Sequence, residues 1–113
     1  MAMEIELVLD VSDLDRMAEF YAAALGYRPE GSIGQYRSIV PAEGPGRPKL
    51  ILQRVDEPKR AKNRMHIDLK ADDIEAEADR LVALGATRQH RIEEDAGTWL
   101  VMADPEGNEF CVQ

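Results

Sequence analysis

The chain is written twice over. Laying residues 4–28 over 64–88 sets Glu6-Leu7-Val8-Leu9 on His66-Ile67-Asp68-Leu69, and Ser12-Asp13-Leu14-Asp15 on Asp72-Asp73-Ile74-Glu75. Ala24-Leu25-Gly26 meets Ala83-Leu84-Gly85 after a one-residue shift, and Lys49–Gln53 falls on Glu109–Gln113 at the original offset of 60. Identities are few, but strand, cap, amphipathic helix and glycine stop recur in order. Such a period marks one supersecondary unit used twice. It predicts an internal repeat over 4–55 and 64–113 inside a single domain spanning 1–113, since a chain of 113 residues is short for two independent cores.

Each half reads as βαβββ. Glu4 to Asp10 alternates, with Ile5, Leu7 and Leu9 on one face and Glu6, Val8 and Asp10 on the other, which is the period of a strand. Ser12 is placed to cap the helix that follows, with Asp15 three residues on. Leu14, Met17, Ala18, Tyr21 and Leu25 make its apolar stripe, and Gly26 stops it. Strands are expected near 27–31, 35–40 and 49–55, with a proline-rich loop over 41–48. In the second half Arg64 to Lys70 reads as the strand and Asp72 as the cap. Ile74, Ala78, Leu81 and Val82 form the stripe, and Gly85 the stop. Strands near 87–92, 98–103 and 108–112 follow, the last two joined by the turn Asp104-Pro105-Glu106-Gly107.

Burying Leu7, Leu9, Ile67 and Leu69 under the helices would contribute about 1.5–3 kcal/mol per side chain. The opposite faces carry Glu6 and Asp10 in one half and His66, Asp68 and Lys70 in the other. Unpaired buried charge is costly, so these faces must meet solvent or line a wet cavity.

Composition narrows the function classes. The formal charge is −8, from 22 acidic against 14 basic residues, which disfavours phosphate backbones and hence nucleic acid. No apolar run approaches the ~20 residues of a membrane span, and the N-terminus is too acidic for a signal peptide. The single cysteine, Cys111, fits a reducing, cytoplasmic compartment.

Three motifs carry a family resemblance. They are Val11-Ser12-Asp13-Leu14-Asp15-Arg16 leading to Phe20-Tyr21 and Leu25-Gly26; His66 seven residues before Asp73; and Asp104-Pro105-Glu106-Gly107-Asn108. In this order the chain resembles the vicinal oxygen chelate superfamily, the group of glyoxalase I, bleomycin-resistance proteins and extradiol dioxygenases. Short glyoxalase-like domain proteins are most similar. The resemblance implies an α+β fold of two βαβββ modules. Each is a curved mixed sheet with its helix outside and a ligand cup inside, and the chain pairs as a homodimer.

The resemblance also implies a divalent metal held from the first and fourth strands of each module. The first-strand positions here are Glu6 and His66, both competent ligands, facing one shared hollow within a chain or across a pair. The fourth-strand positions hold Ile51, with Gln53 two residues on, and Cys111 where a carboxylate is expected. Glu109 shares a face with Cys111 and is a substitute ligand. The expected state is a degenerate site with no tightly held metal; zinc, nickel or manganese are the candidates should one bind, and a thiolate at Cys111 would suit zinc.

His66, Asp68 and Glu109 are the candidate acid–base groups. Regular strand spacing sets i and i+2 side chains ~7 Å apart, so His66 and Asp68 are not expected to touch without a bend. Glu6, Asp10, Gln53, His66, Asp68, Trp99 and Cys111 are the candidate ligand-binding residues. Trp99 either stacks on a ligand or fills the core, and Tyr36 holds a similar place in the first half. The cluster Arg54, Lys59, Arg60, Lys62 and Arg64 reads either as a solvated connection or as an anion-attracting lip at the cup mouth; Asp56 and Glu57 dilute it, which favours the solvated connection.

Three functions fit these features. One is a small-molecule binding protein, its acidic balance favouring a cationic or polar ligand. The second is a metal-dependent lyase or isomerase of the glyoxalase kind using Glu6 and His66, and the third is a dimerising interaction module without a ligand.

Overall fold

A computed structural model describes residues 3–113. It contains two compact units, one ending at Pro58 and one running from Lys59 to Gln113.

The first unit holds β1 (Glu6–Val11), α1 (Leu14–Leu25), β2 (Tyr27–Ile33), β3 (Tyr36–Pro41) and β4 (Lys49–Arg54). The strands form one sheet in the order β1-β4-β3-β2, with β1 parallel to β4 and the other pairs antiparallel. The second unit repeats this with β5 (Asp68–Leu69), α2 (Ile74–Leu84), β6 (Thr87–Glu94), β7 (Gly97–Ala103) and β8 (Glu109–Val112), in the order β5-β8-β7-β6. The α+β class and the doubled βαβββ order expected from the repeat are therefore present. Even irregularities recur: the register slips between Pro29 and Gly31 in β2, and between Arg88 and His90 in β6. A β-bulge increases local twist, so both antiparallel pairs are bent at corresponding places.

Three local expectations are corrected. The helix caps are Asp13 and Asp73, one residue later than Ser12 and Asp72. Asp13 accepts from the Arg16 N–H at 3.1 Å and Asp73 from the Ala76 N–H at 3.1 Å. In both halves two candidate caps adjoin, and the backbone turn selects the one three residues before a free N–H. The helices stop as expected, at Gly26 and Gly85, both at positive φ.

The strand expected over 64–70 shrinks to Asp68–Leu69, because the chain bends at Arg64 and Met65 before joining β8. The first strands also bury less than expected. They lie at the sheet edges, while α1 packs across β2, β3 and β4 and α2 against β6 and β8. Leu7, Leu9, Ile67 and Leu69 are half-buried. Full burial belongs to Met17, Ile39, Leu50 and Leu52 in the first unit, and to Leu81, Met102 and Val112 in the second.

The turn before β8 is tied by a buried polar pair. Asp104 accepts from the backbone N–H groups of Glu106 and Asn108 at 2.8 and 3.0 Å, and from the Asn108 side chain at 2.9 Å. These bonds replace the water that burial removes from a carboxylate. They fix where β8 starts, and so which of its side chains face which way.

Candidate functional site

β8 sets the site. Its parallel pairing with β5 places Asp68 opposite Cys111 and Leu69 opposite Val112. Its antiparallel pairing with β7 places Val101 opposite Cys111. Strand alternation then puts Trp99, Val101, Cys111 and Gln113 on one face, while Leu100, Met102, Phe110 and Val112 occupy the other and are buried. The first of these faces lies in a cavity of about 770 Å³, closed on its sides by Ile92 and Gln89 of β6 and by the segment from Lys59 to Lys62.

At one end three ligating side chains converge. The donor atoms of His66, Asp68 and Cys111 all lie within 4.8 Å of one another, the one such group of His, Cys, Asp and Glu among the described residues. His66 Nδ1 is 3.2 Å from Asp68 Oδ1, and Gln113 donates from Nε2 to Asp68 Oδ2 at 3.2 Å. The direct His66–Asp68 contact corrects the ~7 Å expected for strand neighbours. His66 precedes the regular strand, so its ring can swing back onto Asp68.

Burial pushes the Cys111 thiol above its ordinary range, the neighbouring Asp68 carboxylate pushes it further, and Lys62 offsets part of this. Cys111 is therefore held as a thiol at neutral pH, which is the wrong form for a nucleophile. A divalent cation reverses that preference, because coordination favours the thiolate. Imidazole nitrogen, carboxylate oxygen and thiolate sulfur form a mixed donor set that suits zinc better than manganese.

Glu109 also lines the cavity, but it is engaged elsewhere. Its carboxylate pairs with Lys59 Nζ at 2.7 Å and accepts from the Asn63 N–H at 3.0 Å, so it anchors the first residues of the second unit. Burial works to raise the Glu109 pKa; Lys59 and the Asn63 N–H outweigh it, and the group sits below the usual carboxylate range.

The remaining candidates belong to the first unit. Glu6 is exposed on β1, 3.7 Å from Lys49 Nζ. Lys49 binds Glu30 more closely, at 2.8 Å. Asp10 is exposed opposite Gln53, which is half-buried on β4. On the matching face of this sheet Val8 stands opposite Ile51, so the first module carries alkyl chains where the second carries Asp68 and Cys111. Tyr36 and Ile51 line a shallower recess of about 510 Å³.

The second module's cavity therefore gathers His66, Asp68, Glu109, Trp99 and Cys111 from the expected set. Trp99 is half-buried and lines the cavity wall. Gln89, Ile92 and Val101 were not anticipated, although the register set by the Asp104–Gly107 turn implies Val101. Lys59, Arg60 and Lys62, expected as a solvated connection, form the cavity's lip.

A family model described as glyoxalase-like domain matches residues 6–113. The chain belongs to the glyoxalase-like domain family. The resemblance to the vicinal oxygen chelate superfamily is thereby borne out. Solved structures agree on the fold. The chain is similar to a fosfomycin resistance protein, FosX, from Listeria monocytogenes, solved with Mn(II) and 1S,2S-dihydroxypropylphosphonic acid. The TM-score is 0.79 at 16% identity, covering 100% of this chain and 90% of that one. It is also similar to a glyoxalase/bleomycin resistance protein/dioxygenase family enzyme from Burkholderia phytofirmans PsJN, with TM-score 0.70 and 20% identity over 95% and 94% of the two chains. A superfamily member from Sphaerobacter thermophilus DSM 20745 gives 0.71 and 20% over 99% and 96%. No curated protein matches the chain. None of the described helices of this glyoxalase-like chain is long and apolar enough to cross a membrane.

Proposed function

We propose that this glyoxalase-like protein binds a small molecule in the cavity of its second module. The supporting observation is the cavity's construction: about 770 Å³, with Ile92, Trp99 and Val101 as apolar wall and His66, Asp68 and Gln113 as a polar end. That size and that mixture are typical of small-molecule sites. The test is a thermal-shift screen of a small-molecule library. A ligand at about 100 times its dissociation constant stabilises by about 2.7 kcal/mol. Compounds that stabilise the wild type should not stabilise Gln89→Trp, in which an exposed position sends bulk into the cavity while circular dichroism confirms folding. Equal stabilisation of both proteins would remove the cavity from the account.

A second reading, a metal-dependent lyase or isomerase of the glyoxalase kind, draws on the convergence of His66, Asp68 and Cys111. These three residues would hold the metal, which would supply Lewis-acid polarisation of substrate oxygens when bound. Glu109, tied to Lys59, is the weaker ligand, and Glu6 lies beside Lys49 in the first unit. Elemental analysis after dialysis against zinc, nickel or manganese tests this reading. One zinc per chain, lost in Cys111→Ser and Asp68→Asn, supports it; no uptake leaves a binder without metal. A homodimer in a cytoplasmic setting is the accompanying proposal, tested by analytical ultracentrifugation and by fractionation.

A further inference from the structure

We propose that the second module's cavity selects a ligand carrying an oxyanion, a carboxylate or phosphoryl group on an apolar body, and that Arg60 and Lys62 are the residues that read that charge. The inference rests on the cavity reading above and adds the chemical class of the ligand.

The chain as a whole is acidic, with a formal charge of −8. The cavity departs from that average. Its lining carries Lys59, Arg60 and Lys62 against Asp68 and Glu109. Most of these charges are engaged with one another. Lys59 pairs with Glu109 at 2.7 Å and also donates to the Ala61 carbonyl. Asp68 faces His66 and accepts from Gln113. Arg60 and Lys62 form no ion pair among the described residues. The charge left for a ligand at the lip is therefore positive.

The position of these residues is fixed rather than incidental. Glu109 at the start of β8 holds both ends of the short stretch, through Lys59 and through the Asn63 N–H at 3.0 Å. Arg60 and Lys62 lie between these two anchors. Lys62 lines the same cavity as Cys111, so its ammonium borders the ligand space and not only solvent. The same cavity is lined by Trp99, Ile92 and Val101, which fit the apolar part of a ligand. An oxyanion at the lip with an aromatic or alkyl body against Trp99 satisfies both sides. A cationic ligand, favoured by overall composition alone, meets like charge at the entrance.

Trp99 is the only tryptophan, so its fluorescence reports on this cavity alone. The experiment titrates the full chain with four probes of one shape: benzoate, phenyl phosphate, benzamide and benzylamine. The expected result is quenching by the two anions at concentrations at least about tenfold below those for benzamide and benzylamine. The midpoint for the anions should rise with salt, since exposed charges are screened. In Arg60→Ala/Lys62→Ala that preference should fall by about tenfold, with melting temperature unchanged because both side chains are exposed. Arg60→Glu/Lys62→Glu should transfer the preference to benzylamine. Tighter binding of benzoate than phenyl phosphate, or the reverse, distinguishes a carboxylate from a phosphoryl ligand. Equal binding of benzamide and the anions, or anion binding unaffected by both double variants, overturns the charge selection and leaves the cavity reading standing. Failure of all four probes to quench Trp99 also overturns the charge selection, while the cavity reading is decided separately by the library screen against Gln89→Trp.

Discussion

Asp68 stands opposite Cys111 in the parallel β5–β8 pair, in the register that puts Val8 opposite Ile51 in β1–β4. The two modules thus share a backbone frame and differ in the chemistry mounted on it. Where the first places two alkyl chains, the second places a carboxylate beside a thiol and leaves the imidazole of His66 within reach of both.

This neighbourhood sets the reactivity of the thiol. Cys111 is raised first by burial and then by the Asp68 charge. Alkylation by iodoacetamide, followed by mass spectrometry across pH, should therefore have its midpoint above that of an ordinary thiol. Asp68→Asn should move the midpoint down without restoring the ordinary value, because burial remains. A profile identical in the two proteins would show that the carboxylate does not act on the thiol.

Much of this frame was legible in sequence, and the reasons differ by residue. Gly26 and Gly85 ended their helices where expected because few other residues accept that conformation. The His66–Asp68 contact was not legible. Period-two alternation assumes a regular strand, and only a bend at Arg64–Met65, outside any local pattern, frees the His66 ring. The cationic lip ranked second to a solvated connection in sequence for a related reason. Charges in a connecting segment look solvated until a long-range partner, here Glu109, ties the segment over a cavity.

Capping provides a direct check on the repeat. Asp73→Ala removes the side-chain acceptor of the Ala76 N–H and should cost about 1 kcal/mol in urea unfolding. Asp72→Ala, one residue outside the cap, should cost less than half of that. The reverse order would return the cap to Asp72.

The buried turn should be more sensitive. Asn108→Ala deletes a 2.9 Å bond to a carboxylate that is 2% exposed, and should cost about 1.5–3 kcal/mol. Urea denaturation with an unchanged slope is the expected signature. A loss below about 0.5 kcal/mol would mean that the backbone bonds to Asp104 suffice without the side chain.

Glu109 should give the fold a dependence on acid. Its pKa in the folded chain lies below the ordinary value of about 4.5, so its stabilisation is complete above that pH and is lost as pH falls through the folded value. Glu109→Gln should therefore be less stable than the wild type by about 1 kcal/mol at neutral pH. The gap should close as pH falls below the folded value, where both side chains are uncharged. Urea titrations at neutral and acid pH measure the difference directly, and a constant gap would separate the effect from ionisation.

The most direct test of the cavity as the ligand site uses the single tryptophan. In a proton–nitrogen correlation spectrum Trp99 gives one indole N–H signal, and no other residue gives one. Titration with the strongest compound from the thermal-shift screen should shift that signal together with the backbone signals of Ile92, Val101 and Cys111, and saturate with them. Saturable shifts confined to the first module, with the indole signal unmoved, would contradict the placement of the site.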